Sequence, residues 1–105
     1  MKGFVFRLIP PRPDFASDLS DDERAIISEH AGYWSGLAAQ GTALAFGPVA
    51  DPAGGYGIGI IVVDDLQAAE ALRDADPAVT SPHGFRSEIS PMLRLVTPTG
   101  QFDAT

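Results

Sequence analysis

A chain of 105 residues, 45% hydrophobic and 20% charged, is of single-domain length and globular composition, large enough to bury about two-thirds of the surface its unfolded form exposes. Its 14 acidic residues against 7 basic give a formal net charge of -7, which repels phosphate backbones and anionic lipid and argues against nucleic acid and membrane as partners. Cysteine is absent, which removes disulfides, thiolate nucleophiles and cysteine-based metal centres together, and the two histidines would need mostly oxygen partners to hold a metal.

The segment GFVFRLI, Gly3 to Ile9, sets Phe4, Phe6 and Leu8 on one side and Val5, Arg7 and Ile9 on the other, the period of a strand. Arg7 and the prolines after it interrupt any signal-like apolar run, so a cytoplasmic location is the default expectation. PPRPDF cannot continue a sheet interior, because each proline lacks a donor, and Pro10 to Leu19 is predicted as a long loop. Ser20 followed by Glu23 is a capping-box pattern, Asp21 and Asp22 add negative charge at the positive end of the helix dipole, and Gly41 is a natural stop, so a helix is predicted between them. TALAFGPV and YGIGIIVV read as a hairpin joined by the turn formers Asp51-Pro52 and Gly54-Gly55. DDLQAAEALRDAD has Asp64 or Asp65 as N-cap, Leu66, Ala69 and Leu72 on one stripe, and Asp76-Pro77 as terminator. His83 to Val96 is a longer alternating run in which Pro91 marks an edge or a bulge. Residues 1–97 are read as the domain and 98–105 as a C-terminal tail.

The order βαββαβ is that of a ferredoxin-like α+β domain with an antiparallel sheet. Right-handed crossovers then make strands one and two run together and strands three and four run against them. All the long loops, PPRPDFASDL, PVADPAGGYG and DPAVTSPHG, fall at one end, where sites are usually built. His30 lies at i+4 from Ile26, and Trp34 and Leu37 follow on the same face, so the imidazole points inward. Two readings of it stand: a ring donating to a carbonyl, or a proton-transfer group beside a cavity. Asp76 follows the second helix near the first half of helix one, and a carboxylate beside an imidazole is the pairing a general base needs; as an Asp-Pro turn it has a purely structural reading too.

Arg12, Asp14, Asp51 and His83 occupy other loops of the same end. Solvation accounts for each, but Arg12, held between prolines, is a candidate for binding a carboxylate substrate, with Trp34 and His83 as further candidate contacts. GGYGIG resembles the GxGxxG fingerprint only superficially, since its glycines enter a strand instead of joining strand to helix, and no nucleophile elbow, P-loop or zinc spacing is present. With no segment to hold one, neither a cofactor nor a metal is expected.

These residues together resemble the YciI-like (YCII-related) family. The resemblance rests on His30 with Gly41 closing its helix, AFGPV after it, LQAAEALRDADP ending at Asp76-Pro77, and EISPM in the last strand, and it spans most of the chain. PPRPDFASDLSDDE departs from the shortest members. The resemblance implies a dimeric α+β barrel arrangement and a His30–Asp76 pair as a catalytic dyad in a cleft; it fixes no substrate. Two functions follow: a cofactor-independent enzyme moving a proton on a small, anionic organic molecule, or a non-catalytic dimeric module binding a small ligand or a regulatory partner. A homodimer is predicted through the open face of the sheet, where the alternation leaves Val5, Ile9, Ile61 and Val63.

Overall fold

The computed structural model describes residues 1–104. Its elements are β1 (Lys2–Ile9), α1 (Phe15–Asp18), α2 (Asp21–Ala39), β2 (Ala43–Val49), β3 (Tyr56–Val63), α3 (Leu66–Asp74), α4 (Pro77–Thr80), β4 (Arg86–Pro91), β5 (Arg94–Thr97) and β6 (Gly100–Asp103). The main sheet has the order β2-β3-β1-β4 with every neighbouring pair antiparallel, so β1 and β2 share a direction opposite to that of β3 and β4. This is the ferredoxin-like α+β arrangement. No helix is long and apolar enough to cross a membrane among the described residues.

The alternation of β1 dictates the core. Phe4, Phe6 and Leu8 are all nearly inaccessible, and Trp34 and Leu37 of α2, Ala69 of α3 and Ala78 of α4 pack against them. The α2 boundaries follow from local chemistry: the Ser20 side chain accepts from the Glu23 N–H while Glu23 accepts from the Ser20 N–H, and Gly41 closes the helix at φ +79°, a conformation that favours glycine.

Several expectations need correction. The loop Pro10 to Leu19 contains the helical turn α1, because Phe15 is an apolar anchor that buries itself edge-on against Phe85, with ring centroids 5.3 Å apart. Asp76-Pro77 ends α3 but also starts α4: Asp76 accepts from the Ala78 N–H, and Pro77 occupies the position where a missing N–H costs nothing. Leu66, on the same stripe as Ala69 and Leu72, is 47% exposed, whereas Ala69 is wholly buried. Residues His83 to Val96 do not form one run. Strand β4 ends at Pro91, and β5 pairs with β6, which replaces the expected free tail.

The alternation expected for β3 puts Ile61 and Val63 on the open face, yet both belong to the core on the helix-covered side. The register sets Ile61 opposite Phe4 and Val63 opposite Lys2, whereas Val5 faces Ile60 and Gly3 faces Val62. GIIVV is an uninterrupted apolar run in a central strand, so it carries no polar phase mark, and a shift of one residue exchanges the two faces. The open face is therefore built from Val5, Ile58, Ile60 and Val62 around Arg7. One end of it is covered by the β5–β6 hairpin: Leu95 is buried over Gly3, where an added Cβ would stand 2.8 Å from Leu95 Cδ2.

The long loops do meet at one end. A Cβ on Gly54 would lie 3.4 Å from Pro13 Cβ, and one on Gly84 would lie 3.5 Å from Pro11 Cβ, so the hairpin turn and the α4–β4 turn both rest on the proline segment.

Candidate functional site

Asp76 is wholly buried, and three N–H donors converge on its carboxylate. His30 Nδ1 lies 2.8 Å from Oδ2 and 3.0 Å from Oδ1, Trp34 Nε1 donates to Oδ2 at 2.9 Å, and the Ala78 N–H donates to Oδ1 at 2.9 Å. An ionised carboxylate accepts only and satisfies all three, whereas a carboxylic acid would turn an O–H toward a donor. That acceptor places the imidazole proton on Nδ1. Nε2 is then left with a lone pair and, among the described residues, no partner.

The His30 ring is not sealed in. Its side chain is 15% exposed and forms part of the wall of a cavity of about 430 Å3 between α2, the proline segment and the β2–β3 hairpin. The other contributors include Leu8, Phe15, Ile27, Phe46 and Phe85; apart from His30 and Tyr56 the lining side chains are apolar. Geometry of this kind suits a general base: Nε2 can take a proton from a molecule in the cavity, and the buried Asp76 carboxylate stabilises the imidazolium that results.

Trp34 supports this pair from behind rather than lining the cavity. Its ring lies 4.9 Å from that of Phe6, centroid to centroid, and rests on β3 at Gly59, where a Cβ would come within 2.4 Å of the indole. Gly59, the last glycine of GGYGIG, thus makes room for the indole that hydrogen-bonds Asp76. The signal available was a glycine inside a strand, which marks a close approach. Tyr33, one residue before, donates its hydroxyl to the Leu72 carbonyl at 2.7 Å, tying α2 to α3; burial and the Asp76 charge push its pKa up.

Arg12 does bind a carboxylate, but an internal one. Nη1 and Nη2 donate to the two oxygens of Glu23 at 2.8 Å each, and Nε donates to Asp18 Oδ1 at 2.8 Å. The guanidinium and the Ser20 N–H hold the Glu23 carboxyl down at about 2, and the two carboxylates keep the Arg12 proton bound more tightly than usual. Arg12 is not among the residues lining the His30 cavity. Sequence reasoning missed this clamp because Glu23 was fully explained by the capping box, and one side chain here does both. His83 is half-buried in the turn before Gly84 and is likewise outside the cavity wall. Asp51 caps its own turn by accepting from the Ala53 N–H, and Asp14 is exposed before α1. Among the described residues no three histidine, aspartate or glutamate side chains cluster so as to hold a metal ion.

Compared with known proteins, residues 4–93 match the sequence model of the YCII-related domain. No curated protein matches the chain.

Proposed function

Because the chain belongs to the YCII-related domain family, its residues 4–93 matching the family model, we propose that it is a cofactor-independent acid–base enzyme in which His30, oriented by Asp76, moves a proton on a small organic molecule. One observation carries this reading: an imidazole whose Nδ1 is held by a buried carboxylate forms part of the wall of an apolar cavity of about 430 Å3. The lining selects a substrate with an apolar body. Proton abstraction can be tested before the substrate is known. Small carbonyl and hydroxy-ring compounds are incubated with the protein in D2O and followed by NMR; the expected outcome is deuterium uptake with the native protein and none with His30→Ala. Uptake at equal rates with both would remove His30 from the role of base.

A second reading, a non-catalytic module that binds a small ligand, is favoured by the same lining, since it includes no cation and, besides His30, only Tyr56 as a polar side chain to stabilise developing negative charge. It predicts binding that is lost with His30→Ala and no deuterium uptake in any compound.

Either reading is compatible with a homodimer through the open sheet face. Val5, Ile58 and Ile60 are only half-buried there, and Leu93, just before β5, and Val96, within it, are 88% and 66% exposed. Sedimentation as a stable monomer at micromolar concentration would contradict it.

A further inference from the structure

A second cavity, of about 380 Å3, lies on the open side of the sheet under the proline segment. Arg7 and Ile9 line it, whereas Leu8 between them lines the His30 cavity, so the two stand on opposite faces of β1. Its wall holds Arg7, Arg12 and Arg86 and none of the chain's 14 acidic side chains, although only 7 residues of the chain are basic. The three guanidinium groups are not equivalent. Arg12 is committed to Glu23 and Asp18, and that clamp fastens the proline segment to the start of α2. Arg7 lies against the Tyr56 ring, its guanidinium carbon 4.3 Å from the centroid, and donates from Nη1 to Glu88 at 3.2 Å. Arg86, exposed and two residues before Glu88 on β4, makes no ion pair or side-chain hydrogen bond among the described residues.

The register sets Arg7 opposite Glu88 and Ile9 opposite Arg86, which makes Arg7 and Arg86 diagonal neighbours on one face, within joint reach of a small group. Arg86 alone of the three lacks a counter-charge, which suits one carboxylate better than a dianion. Prolines, Ile9 and Ala53 make the rest of the wall largely apolar. We propose that this cavity is a second ligand site, separate from that of His30, for a small monocarboxylate with a compact apolar body. Its carboxylate pairs with Arg86, with Arg7 as a further donor, and its body rests against the prolines. The site stands whether or not His30 is catalytic, and it gives Arg86 the carboxylate-binding role first expected of Arg12.

Benzoate and benzyl alcohol share a ring and differ in charge. In titrations at constant ionic strength followed by NMR of the nitrogen-bound protons, benzoate is expected to move the signals of Arg86 Nε–H and the Gly54 and Gly55 amides along a saturating curve. Benzyl alcohol should leave them in place. Arg86→Gln should weaken benzoate about tenfold or more, the size of one charge-assisted hydrogen bond, with the amide spectrum away from the cavity unchanged. His30→Ala should leave the affinity as it is. No shift, a shift that never saturates, or an affinity indifferent to Arg86→Gln overturns the inference. Binding lost with His30→Ala would move the carboxylate to the other cavity and overturns it too. If benzoate does not bind and Arg86→Gln changes the sedimentation coefficient, these cations belong to a subunit contact, and the inference fails in favour of that one.

Discussion

Glu23 and Asp76 are the two buried acidic side chains of the described residues, and their surroundings differ in a way that separates support from chemistry. Glu23 meets a guanidinium that fills both its oxygens; the partner is a permanent cation, and neither residue lines the His30 cavity. Asp76 meets an imidazole that uses one nitrogen for the carboxylate, has no partner for the other among the described residues, and belongs to the wall of the cavity. Burial of charge is common to both. What distinguishes the candidate site is the donor or acceptor left over, and the space it faces.

The sharpest way to break this comparison is at Asp76. Asp76→Ala strands the His30 Nδ1, Trp34 Nε1 and Ala78 donors at once, and loss of one partner of a buried pair costs about 3–5 kcal/mol. Urea denaturation should show a loss in that range and, in any assay that scores His30, no activity; a loss below about 1 kcal/mol would mean that the donors find other acceptors. Next in size is Gly59→Ala. Its methyl would collide with the Trp34 ring, and overpacking of this kind costs about 1–3 kcal/mol, with a shifted Trp34 emission as the local signature. Unchanged emission and stability would show that the indole has room to retreat.

His30→Ala sharpens the contrast from the other side. Asp76 keeps two donors, so the loss of stability should be only about 1–2 kcal/mol while deuterium uptake disappears. The reverse pattern, large destabilisation with uptake retained, would make His30 structural.

The smallest effect is expected at the Arg12–Glu23 clamp, and it has a pH signature. The Glu23 carboxyl is lowered in the folded protein from 4.5 to about 2, so its contribution to stability is complete above the unfolded value and declines as pH falls from 4.5 toward 2. The stability difference between native protein and Glu23→Gln should therefore shrink across that window and be constant from pH 5 to 7, while deuterium uptake at neutral pH is unchanged. A difference that does not respond to acid would show that the clamp holds by geometry alone.

Much of this arrangement is legible in the sequence where local chemistry decides it. The capping box at Ser20 and Glu23, the stop at Gly41 and the alternation of Phe4, Phe6 and Leu8 are each governed by neighbours a few residues away, and each agrees with the structure. His30 and Asp76 are hydrogen-bonded across 46 positions, a proximity that follows from helix packing but whose geometry no local pattern encodes. The failures are non-local. The phase of Ile61 and Val63 is set by pairing with β1, since their own run has no polar residue to mark it. Arg12 is drawn from the cavity by Glu23, a partner already explained by another role. The hairpin β5–β6 is anchored by Leu95 on Gly3, at the opposite end of the chain.

The place of β1 at the centre of the sheet has a consequence for how the molecule is made. Phe6 pairs with Gly59 on one side and with Ile89 on the other, so β1 is synthesised ahead of both its neighbours. Until β3 and β4 leave the ribosome, Phe4, Phe6 and Leu8 have no sheet to join, and contacts this distant in sequence are slow to form. The nascent chain therefore has the capped helix α2 available early, while its apolar first strand waits exposed, the condition under which chaperone binding and premature strand pairing compete. The His30–Asp76 pair cannot exist before that wait is over.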